Sequence, residues 1–437
     1  MFKVISLLAL PAMLAAQQVP ATGVTPAVQP ITLQQAIELA QQNNPAMVQS
    51  RGTVRTTNYQ LKAGYAAFLP SLTASMSQRS SGGQVQNPNG QIVPVSSPTS
   101  YGTGISTSLA LFDGGRRFYE IDQDKANINA AEAGVVTQSF NVSLQVKTQY
   151  NAVLAARESE AAAEAALKEA DEQLQAAVAR VAAGAATMSD SLRAVVQVGN
   201  AQIQLLTAQN NEQAASAALT RLVGSSHPVT ADPSDTLDKA VQAPDSAMLA
   251  GLAAQGPAVR QAQAQLSAAA AGIKSAKAAY WPTINLSYNY SGNGQDQFYG
   301  VGSGQLLYNH ALSLSLNLPV FNQLSRENSI VAAEVSAENA RASLRDAQLN
   351  SQATLVSWIG QYQTAAKRIQ IDEVSIAAAE EDLRVQQQRY ALGASTLLEV
   401  LTSESALNTA RLQLIQDRQS YRLARAQIEA IIGRDLQ

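Results

Sequence analysis

His227 and His310 are the only imidazoles in the sequence, and it contains no cysteine. Neither histidine has a second donor at ligand spacing, so no metal site is expected. A thiol nucleophile, a disulfide framework and a cysteine-borne lipid are excluded outright. The acidic pairs Glu158/Glu160 and Glu380/Glu381 have the groups for acid–base chemistry, but their helical surroundings place them on solvated faces. Asp113-Gly114-Gly115 lacks the strand–loop–helix context of a phosphate loop and reads as a turn. His227 falls in a linker and His310 in an outer loop. No nucleophile, base and orienting group converge, so neither an enzyme nor a cofactor is expected. Lys and Arg number 30 against 33 Asp and Glu, a net charge of −3 that leaves no basic excess for nucleic acid. Only 14% of residues are charged, against about 25% in an ordinary soluble domain.

What is left to explain is a set of polar residues on long repetitive elements. The chain opens with Lys3, the run Val4 to Leu14 that is apolar apart from Ser6, and Ala15-Ala16 before Gln17. That is the pattern of a secretory signal peptide over 1–16, with 17–30 as a flexible linker. The run is too short for the roughly 20 apolar residues of a membrane helix, and Pro11 interrupts it. No later apolar run approaches that length.

The sequence is built twice. Tyr65-Ala-Ala-Phe68-Leu-Pro70 recurs as Lys277-Ala-Ala-Tyr280-Trp-Pro282, and Asn44-Pro45-Ala46 as Gly256-Pro257-Ala258, displaced by 212. Phe112, Arg180, Gly184 and Gly224 recur as Phe321, Arg389, Gly393 and Gly433, displaced by 209. The repeats are expected over 31–224 and 244–433, with a turn-rich linker at 225–243 and a short tail at 434–437.

Each repeat reads as helix, two strands, a very long helix, a turn and a further helix. Ala163, Leu167, Ala170, Leu174, Ala177 and Val181 follow heptad spacing, and Ile369, Ile376, Ala379, Leu383 and Tyr390 keep the phase. The proline-free stretch from Arg116 to Ala183 makes a rod of about 100 Å. Ala46 to Phe68 and Thr187 to Val223 together span about 90 Å, so two shorter helices flank one long one. Such rods must pack on one another or on other subunits.

Between the helices the pattern has period two. Leu312, Leu314, Leu316 and Leu318 alternate with Ser313, Ser315 and Asn317; Ile284, Leu286, Tyr288 and Tyr290 alternate with Asn285, Ser287 and Asn289. Leu72, Ala74 and Met76, and Ile105, Thr107, Leu109 and Leu111, repeat the pattern in the first half. Strands are expected at about 71–80, 101–112, 282–291 and 311–321, around long polar loops. Apolar-out, polar-in strands of about ten residues with long outer loops describe a membrane β-barrel. Tyr101, Tyr280 and Trp281 suit its aromatic rims. The fold class expected is mainly α with a membrane β-barrel portion. Four strands cannot close, because about eight is the minimum and an open edge is not tolerated in lipid. Several chains must therefore share one barrel. Two would make an eight-strand plug and three a twelve-strand pore; the small lumen-side serines, threonines and asparagines favour the pore.

Arg389-Tyr-Ala-Leu-Gly393-Ala-Ser-Thr-Leu-Leu-Glu399-Val-Leu401, followed by Ala406-Leu407 and Ala410, resembles the repeat signature of TolC-like outer-membrane efflux proteins. Leu33-Gln-Gln-Ala36-Ile-Glu-Leu39-Ala40 through Asn44-Pro45 is similar to that family's start, and the leucine strand into Pro319-Val-Phe321 to its last barrel strand. The resemblance implies a homotrimer with a 12-strand barrel in outer-membrane lipid and a 12-helix periplasmic tunnel. It also implies a periplasmic adaptor and an inner-membrane transporter as partners, in efflux or type I secretion.

By the same resemblance the turns at Gly184, Ala185, Gly393 and Ala394 contact the adaptor. Asp190, Ser189 and Tyr390 match gate positions, with Asp190 able to bond Tyr390. Glu399 matches one acid of a constriction ring and Thr402 its second position. Ser395 stands where the best-known member has arginine, so an ionic latch is not implied. The residues themselves leave open a plainer role: Asp190 and Glu399 sit in first helical turns, where an acid favours the N-terminus by under about 1 kcal/mol, and Tyr390 continues the heptad seam. A structural coiled-coil fibre is the alternative function, against which the lipid-facing leucine rows speak.

Overall fold

The computed structural model describes residues 28–96, 99–234, 246–295 and 306–436. The expected leader at 1–16, most of the linker at 17–30 and residues 235–243 of the central linker lie outside the described residues.

Each repeat begins with apolar-periodic helices that punctuation residues start and stop. α1 (Leu33–Asn43) is capped by Thr32 in a capping box with Gln35, and α2 (Pro45–Ala66) starts with proline behind the Asn44 cap. In the second repeat α5 (Ser246–Ala253) and α6 (Pro257–Lys277) take these places. For continuous numbering, α3 is Arg116–Ala182, α4 Met188–Val223, α7 Ser325–Ala391 and α8 Leu397–Ile432. The 67 residues of α3 and of α7 make rods of about 100 Å. α2 and α6 pack on α3 towards one end, and α4 and α8 pack on it towards the other.

The expected heptad seam is what holds α3 to α4. Ala170, Val198 and Ala201 are buried with Leu167 and Leu174 around them; Leu383, Val400 and Leu407 do the same with Ile376, Ala379 and Tyr390 between α7 and α8. Larger cores lie mid-length. One joins Met47, Val142, Val146, Tyr150, Leu219 and Val223, and the other Leu249, Leu355, Tyr362, Tyr421 and Ile428.

The barrel portion is one antiparallel sheet of four strands, ordered β2 (Ser71–Arg79), β5 (Ser100–Phe112), β7 (Thr283–Gln295) and β8 (Leu307–Asn317). Its register places chemically alike residues in rows. Leu109, Leu286 and Leu314 are opposite one another, as are Ser108, Ser287 and Ser313 in the next row. Hydroxyls bond along the serine row, Ser71 to Ser108 at 2.8 Å and Ser287 to Ser313 at 2.7 Å. One face is thus apolar and the other lined with small polar groups.

Several elements differ from expectation. β8 begins at Leu307 and ends at Asn317, not at about 311–321, so Tyr308 and His310 are strand residues and Leu318 to Phe321 leave the sheet. His310 pairs with Tyr290 rather than sitting in a loop. The loop after β2 contains a hairpin, β3 (Gly82–Gln86) and β4 (Ile92–Ser96), closed around Gly90 at φ 80°. β1 (Gln29–Ile31) and β6 (Val229–Ala231) form a parallel pair where flexible linkers were expected. They are ordered because Val229 and Ala231 cover the first core, and Tyr150 Oη donates to Ile31 O at 3.1 Å while accepting from Asp232 N at 3.1 Å. The tail at 434–436 is anchored too: Lys147 Nζ lies 2.7 Å from Glu429 and 2.6 Å from Asp435, and Arg425 donates to Leu436 O at 2.6 Å.

At the strand-to-helix turn, Gly114 (φ 70°) and Gly115 (φ 82°) are left-handed, and Asp113 receives Arg117 at 2.9 Å. A Cβ on Gly114 would lie 2.5 Å from Trp281 Cβ. The second repeat makes the same turn with Gln323 (φ 56°) and Leu324 (φ 64°), a conformation that costs a non-glycine residue about 1–2 kcal/mol.

Between α3 and α8 lies a buried acid. Glu404 is 1% exposed and neither carboxylate oxygen meets a donor in hydrogen-bond geometry. Burial raises its pKa above the usual carboxylate range; Gln173 offsets part of this and Glu169 adds to it. Arg411 serves Glu169 at 3.5 Å and Glu380 at 3.2 Å instead. Glu404 therefore binds its proton more tightly folded than unfolded, and its contribution to stability, complete below the ordinary carboxylate value of about 4, falls as pH rises from there through its raised folded value. Glu404→Gln should remove that loss. Thermal melts should show the variant's advantage over the parent growing from acid pH to pH 7; parallel pH profiles would refute a neutral Glu404.

Candidate functional site

The polar residues singled out by sequence gather at the end of the rods away from the sheet. α3 stops because Gly184 takes φ 71°, which lets Ala185 N donate back to Arg180 O at 2.8 Å. α7 stops identically at Gly393, φ 77°, with Ala394 N donating to Arg389 O at 2.8 Å. Gly184, Ala185, Gly393 and Ala394 are all exposed, with open space where a glycine Cβ would stand. Two bare turns thus form the tip of each chain.

Each turn runs into a capped helix. Thr187 N and Oγ1 both donate to Asp190, at 3.1 and 2.8 Å, a reciprocal box that starts α4. The Thr187 hydroxyl bond first, then its backbone bond, with Arg193 and Arg180 adding, hold the Asp190 carboxyl below the usual carboxylate range. Thr396 accepts from Glu399 N at 3.4 Å at the start of α8, and Ser395 Oγ donates both to the Glu399 carboxylate and to Gln386 at 3.1 Å.

Asp190 and Tyr390 come near one another, but the expected hydrogen bond between them is not made within the chain. The Asp190 carboxylate is occupied by Thr187, and the Tyr390 hydroxyl is buried without a hydrogen-bond partner. Burial pushes the Tyr390 phenol up; Arg180 opposes this and Asp190 reinforces it. The group that holds Tyr390 is Arg180. Its guanidinium lies over the ring, 4.3 Å from the centroid, and its Nη1 donates to the Tyr390 carbonyl. Arg180 was visible in the sequence only as the repeat counterpart of Arg389, which donates to Ala394 O at 3.3 Å in its own turn instead. Equivalent arginines thus do different work, one within a hairpin and one between hairpins.

The remaining expected positions are exposed. Ser189 is exposed in the first turn of α4. Thr402 is exposed, donating to Leu398 O at 2.8 Å, and Glu399 is exposed one turn before it. Glu158, expected on a solvated face, instead meets the buried Arg422 at 3.5 Å. Among the described residues no group of three His, Asp or Glu side chains could hold a metal ion.

At the other end, the apolar face of the sheet has the dimensions of a membrane. From Ile284 to Gly294, which is opposite Tyr101, β7 rises about 34 Å, or about 25 Å across a bilayer at a 45° tilt. Tyr101 stands at one end of this face, and Tyr280, which carries the Arg326 guanidinium at 4.2 Å from its ring centroid, and the exposed Trp281 stand at the other. Tyr290 and Tyr308 stack at 5.3 Å on the same face near the far end, adding Tyr308 to the aromatics expected from sequence. Leu312, Leu314 and Leu316 are about two-thirds exposed in the single chain.

Known proteins share this architecture. The family model described as outer membrane efflux protein matches residues 36–225 and 249–434. The chain is 26% identical over 393 residues to outer membrane efflux protein BepC of Brucella suis, covering 88% of this chain and 81% of that one. It is 25% identical over 347 residues to pyoverdine export outer membrane protein OpmQ of Pseudomonas aeruginosa, covering 75% and 68%. Among solved structures, CusC superposes with a TM-score of 0.74 at 20% identity, covering 92% of each chain. A four-stranded apolar-faced sheet on two pairs of long helices, matched along both repeats, is the architecture of that family: this chain belongs to the outer membrane efflux proteins and is an outer-membrane channel.

Proposed function

We propose that the chain acts as a passive exit duct without catalytic chemistry, as a homotrimer joined through a periplasmic adaptor to an inner-membrane pump. The observation that supports this best is the unfinished sheet. β2 and β8 each present an edge with no partner strand among the described residues, and the face between them is bare leucine. Lipid tolerates no unpaired backbone, so further strands must come from other chains. Three chains of four strands make twelve, enough for a wet lumen lined by serine and asparagine. Exposed Leu192, Val195, Val196 and Ile203 on α4 and Val356, Ile371 and Val374 on α7 supply apolar surface for neighbouring subunits along the tunnel.

In this reading residues 1–16 are a removed leader and 17–30 a linker. Residues 31–224 and 244–433 are the two repeats, joined by 225–243 and followed by a tail at 434–437. Gly184, Ala185, Gly393 and Ala394 meet the adaptor, and Glu399 and Thr402 line a constriction. Tyr101, Tyr280 and Trp281 sit at the membrane interfaces. Asp190, Ser189 and Tyr390 belong to a periplasmic gate in which Arg180, not Asp190, holds Tyr390. A stacked guanidinium and a carbonyl hydrogen bond are each worth about 1 kcal/mol, repeated three times around the ring.

The duct should fractionate with outer membranes and need detergent for extraction; recovery as a soluble periplasmic protein would sink it. Leu314→Arg should lose roughly 2–4 kcal/mol by placing a charge against lipid, while Ser315→Arg, facing the lumen, should assemble nearly normally. Equal assembly of the two would reverse the assignment of the faces. At the gate, single-channel conductance in planar bilayers should rise for Arg180→Ala and stay unchanged for Tyr390→Phe, whose hydroxyl has no partner to lose. The opposite pattern would return the gate to an Asp190–Tyr390 bond.

A further inference from the structure

Along the seam that joins the two hairpins of one chain, polar groups are buried without the donors they need. Glu404 faces α3 from α8 and is 1% exposed, with both carboxylate oxygens unpartnered. Opposite it on α3 stand Glu169 and Gln173, four residues apart and so on one helix face. Both ends of the Gln173 amide and the Glu169 Oε2 are also buried with no hydrogen-bond partner. The cluster thus holds four acceptor oxygens and a single amide NH2 to serve them.

The groups around the cluster supply no remedy. Arg411, on α8 itself, lies 3.5 Å from Glu169 and 3.2 Å from Glu380 of α7. Asp382 of α7 accepts from the Ser403 hydroxyl. Three carboxylates therefore flank Glu404, and one guanidinium answers two of them. An ionised Glu404 adds a further negative charge where no donor meets it. Burial first, and Glu169 after it, favour the protonated form.

Resting on the duct reading above, we infer that Glu404 is a proton-operated fastener between the two hairpins, closed when protonated and released when ionised. With a proton on one oxygen, Glu404 donates to Gln173 Oε1, and Gln173 Nε2 donates to Glu169 Oε2. One proton thereby gives partners to four of the five orphaned atoms. The chain of contacts then runs on from Glu169 through Arg411 to Glu380, linking α8, α3 and α7. Loss of the proton removes the only added donor and sets two carboxylates against each other across the seam.

The position suits a fastener. Gln173 precedes Gly184 by 11 residues and Glu404 follows Gly393 by 11, about 16 Å from the tip. The seams within each hairpin are apolar nearby, built from Ala170, Val198 and Ala201 and from Leu383, Val400 and Leu407. Ionisation of Glu404 thus acts between the hairpins and leaves each hairpin whole. When the hairpins part, water reaches the carboxyl and its pKa returns to the ordinary value of about 4. Protons therefore favour the packed arrangement: fastening is complete below about pH 4 and weakens as pH rises through the raised value.

Single-channel recordings of purified full-length trimers from about pH 5 to about pH 7.5 test this. The open fraction of the parent should rise several-fold with pH. Glu404→Gln, which carries a donor at every pH, should stay at the parent's acid level throughout. Glu169→Gln, which removes the facing charge, should move the midpoint to lower pH. A Glu404→Gln channel with the parent's pH dependence, or a parent with none, would overturn the fastener. Amide hydrogen exchange of the parent gives a second reading that needs no variant. Corrected for intrinsic rates, protection of 400–408 should fall from acid to neutral pH while that of 194–201 on α4 stays level. Equal protection of 400–408 at both ends would likewise overturn it. Failure of the parent to form trimeric channels at any pH would instead overturn the duct reading on which the inference rests.

Discussion

A backbone N–H or C=O left unpaired in hydrocarbon costs several kcal/mol, and from that penalty most of this architecture follows. Four strands with one leucine face and one serine face can enter a membrane only as part of a closed ring. The ring needs an even alternation of directions, which the order β2, β5, β7, β8 supplies, because β8 and β2 run opposite ways and can meet. Closure also fixes what lies beneath. Every strand leads out of or into a helix of a continuous bundle, so the ring of strands continues as a ring of rods. The alanines along α3, buried at Ala166, Ala170 and Ala177, let those rods approach closely.

Duplication makes this economical, and the places where the copies diverge are informative. Gly114 and Gly115 make the first strand-to-helix turn without strain, while Gln323 and Leu324 accept left-handed backbone in the second. The first turn is crowded against Trp281, which excludes a side chain; in the second the Gln323 and Leu324 side chains are exposed, so only the backbone cost remains. Arg180 and Arg389 diverge in the same way, one reaching across to α7 and one closing its own turn. Differences between the copies are thus concentrated at the two ends, where the environment of each copy differs.

Much of the fold was legible because its signals are periodic. The displacement of 212 and 209 exposed the repeats, alternation exposed the four barrel strands, and heptads exposed the seams of α3 with α4 and α7 with α8. What escaped was set by tertiary contacts without a period. Three-residue strands such as Gln29–Ile31 and Val229–Ala231 exist because they cover a core, and no local pattern announces them. Tyr308, His310 and Leu312 continue the alternation, but Tyr308 and His310 adjoin the glycine-containing stretch through Gly304, which reads as loop. Asn89-Gly90 is a hairpin signal, and the β3–β4 hairpin closes there. At the tip, Asp190 and Tyr390 were found by motif position, yet their partners depend on side-chain direction. The Thr187-x-x-Asp190 spacing is a capping box, and its Asp190 Oδ2 takes both the Thr187 N–H and the Thr187 hydroxyl.

That local satisfaction has a consequence for how such a tip could open. Each hairpin is self-contained: α3 with α4 and α7 with α8 each keep their own seam, their own Schellman-type turn and their own capping residues. Moving one hairpin against the other therefore breaks none of those bonds. What it breaks between α3 and α7 at the tip is the hold of Arg180 on the Tyr390 ring and carbonyl. Further along the rods the cost rises, because Arg411 ties α8 to both Glu169 of α3 and Glu380 of α7, and α3 and α8 are joined again by Lys147 with Glu429 and by Arg422 with Glu158. The two hairpins are thus tied by more ion pairs at mid-length than at the tip. The same arrangement leaves the exposed turns at Gly184 and Gly393 outside both seams.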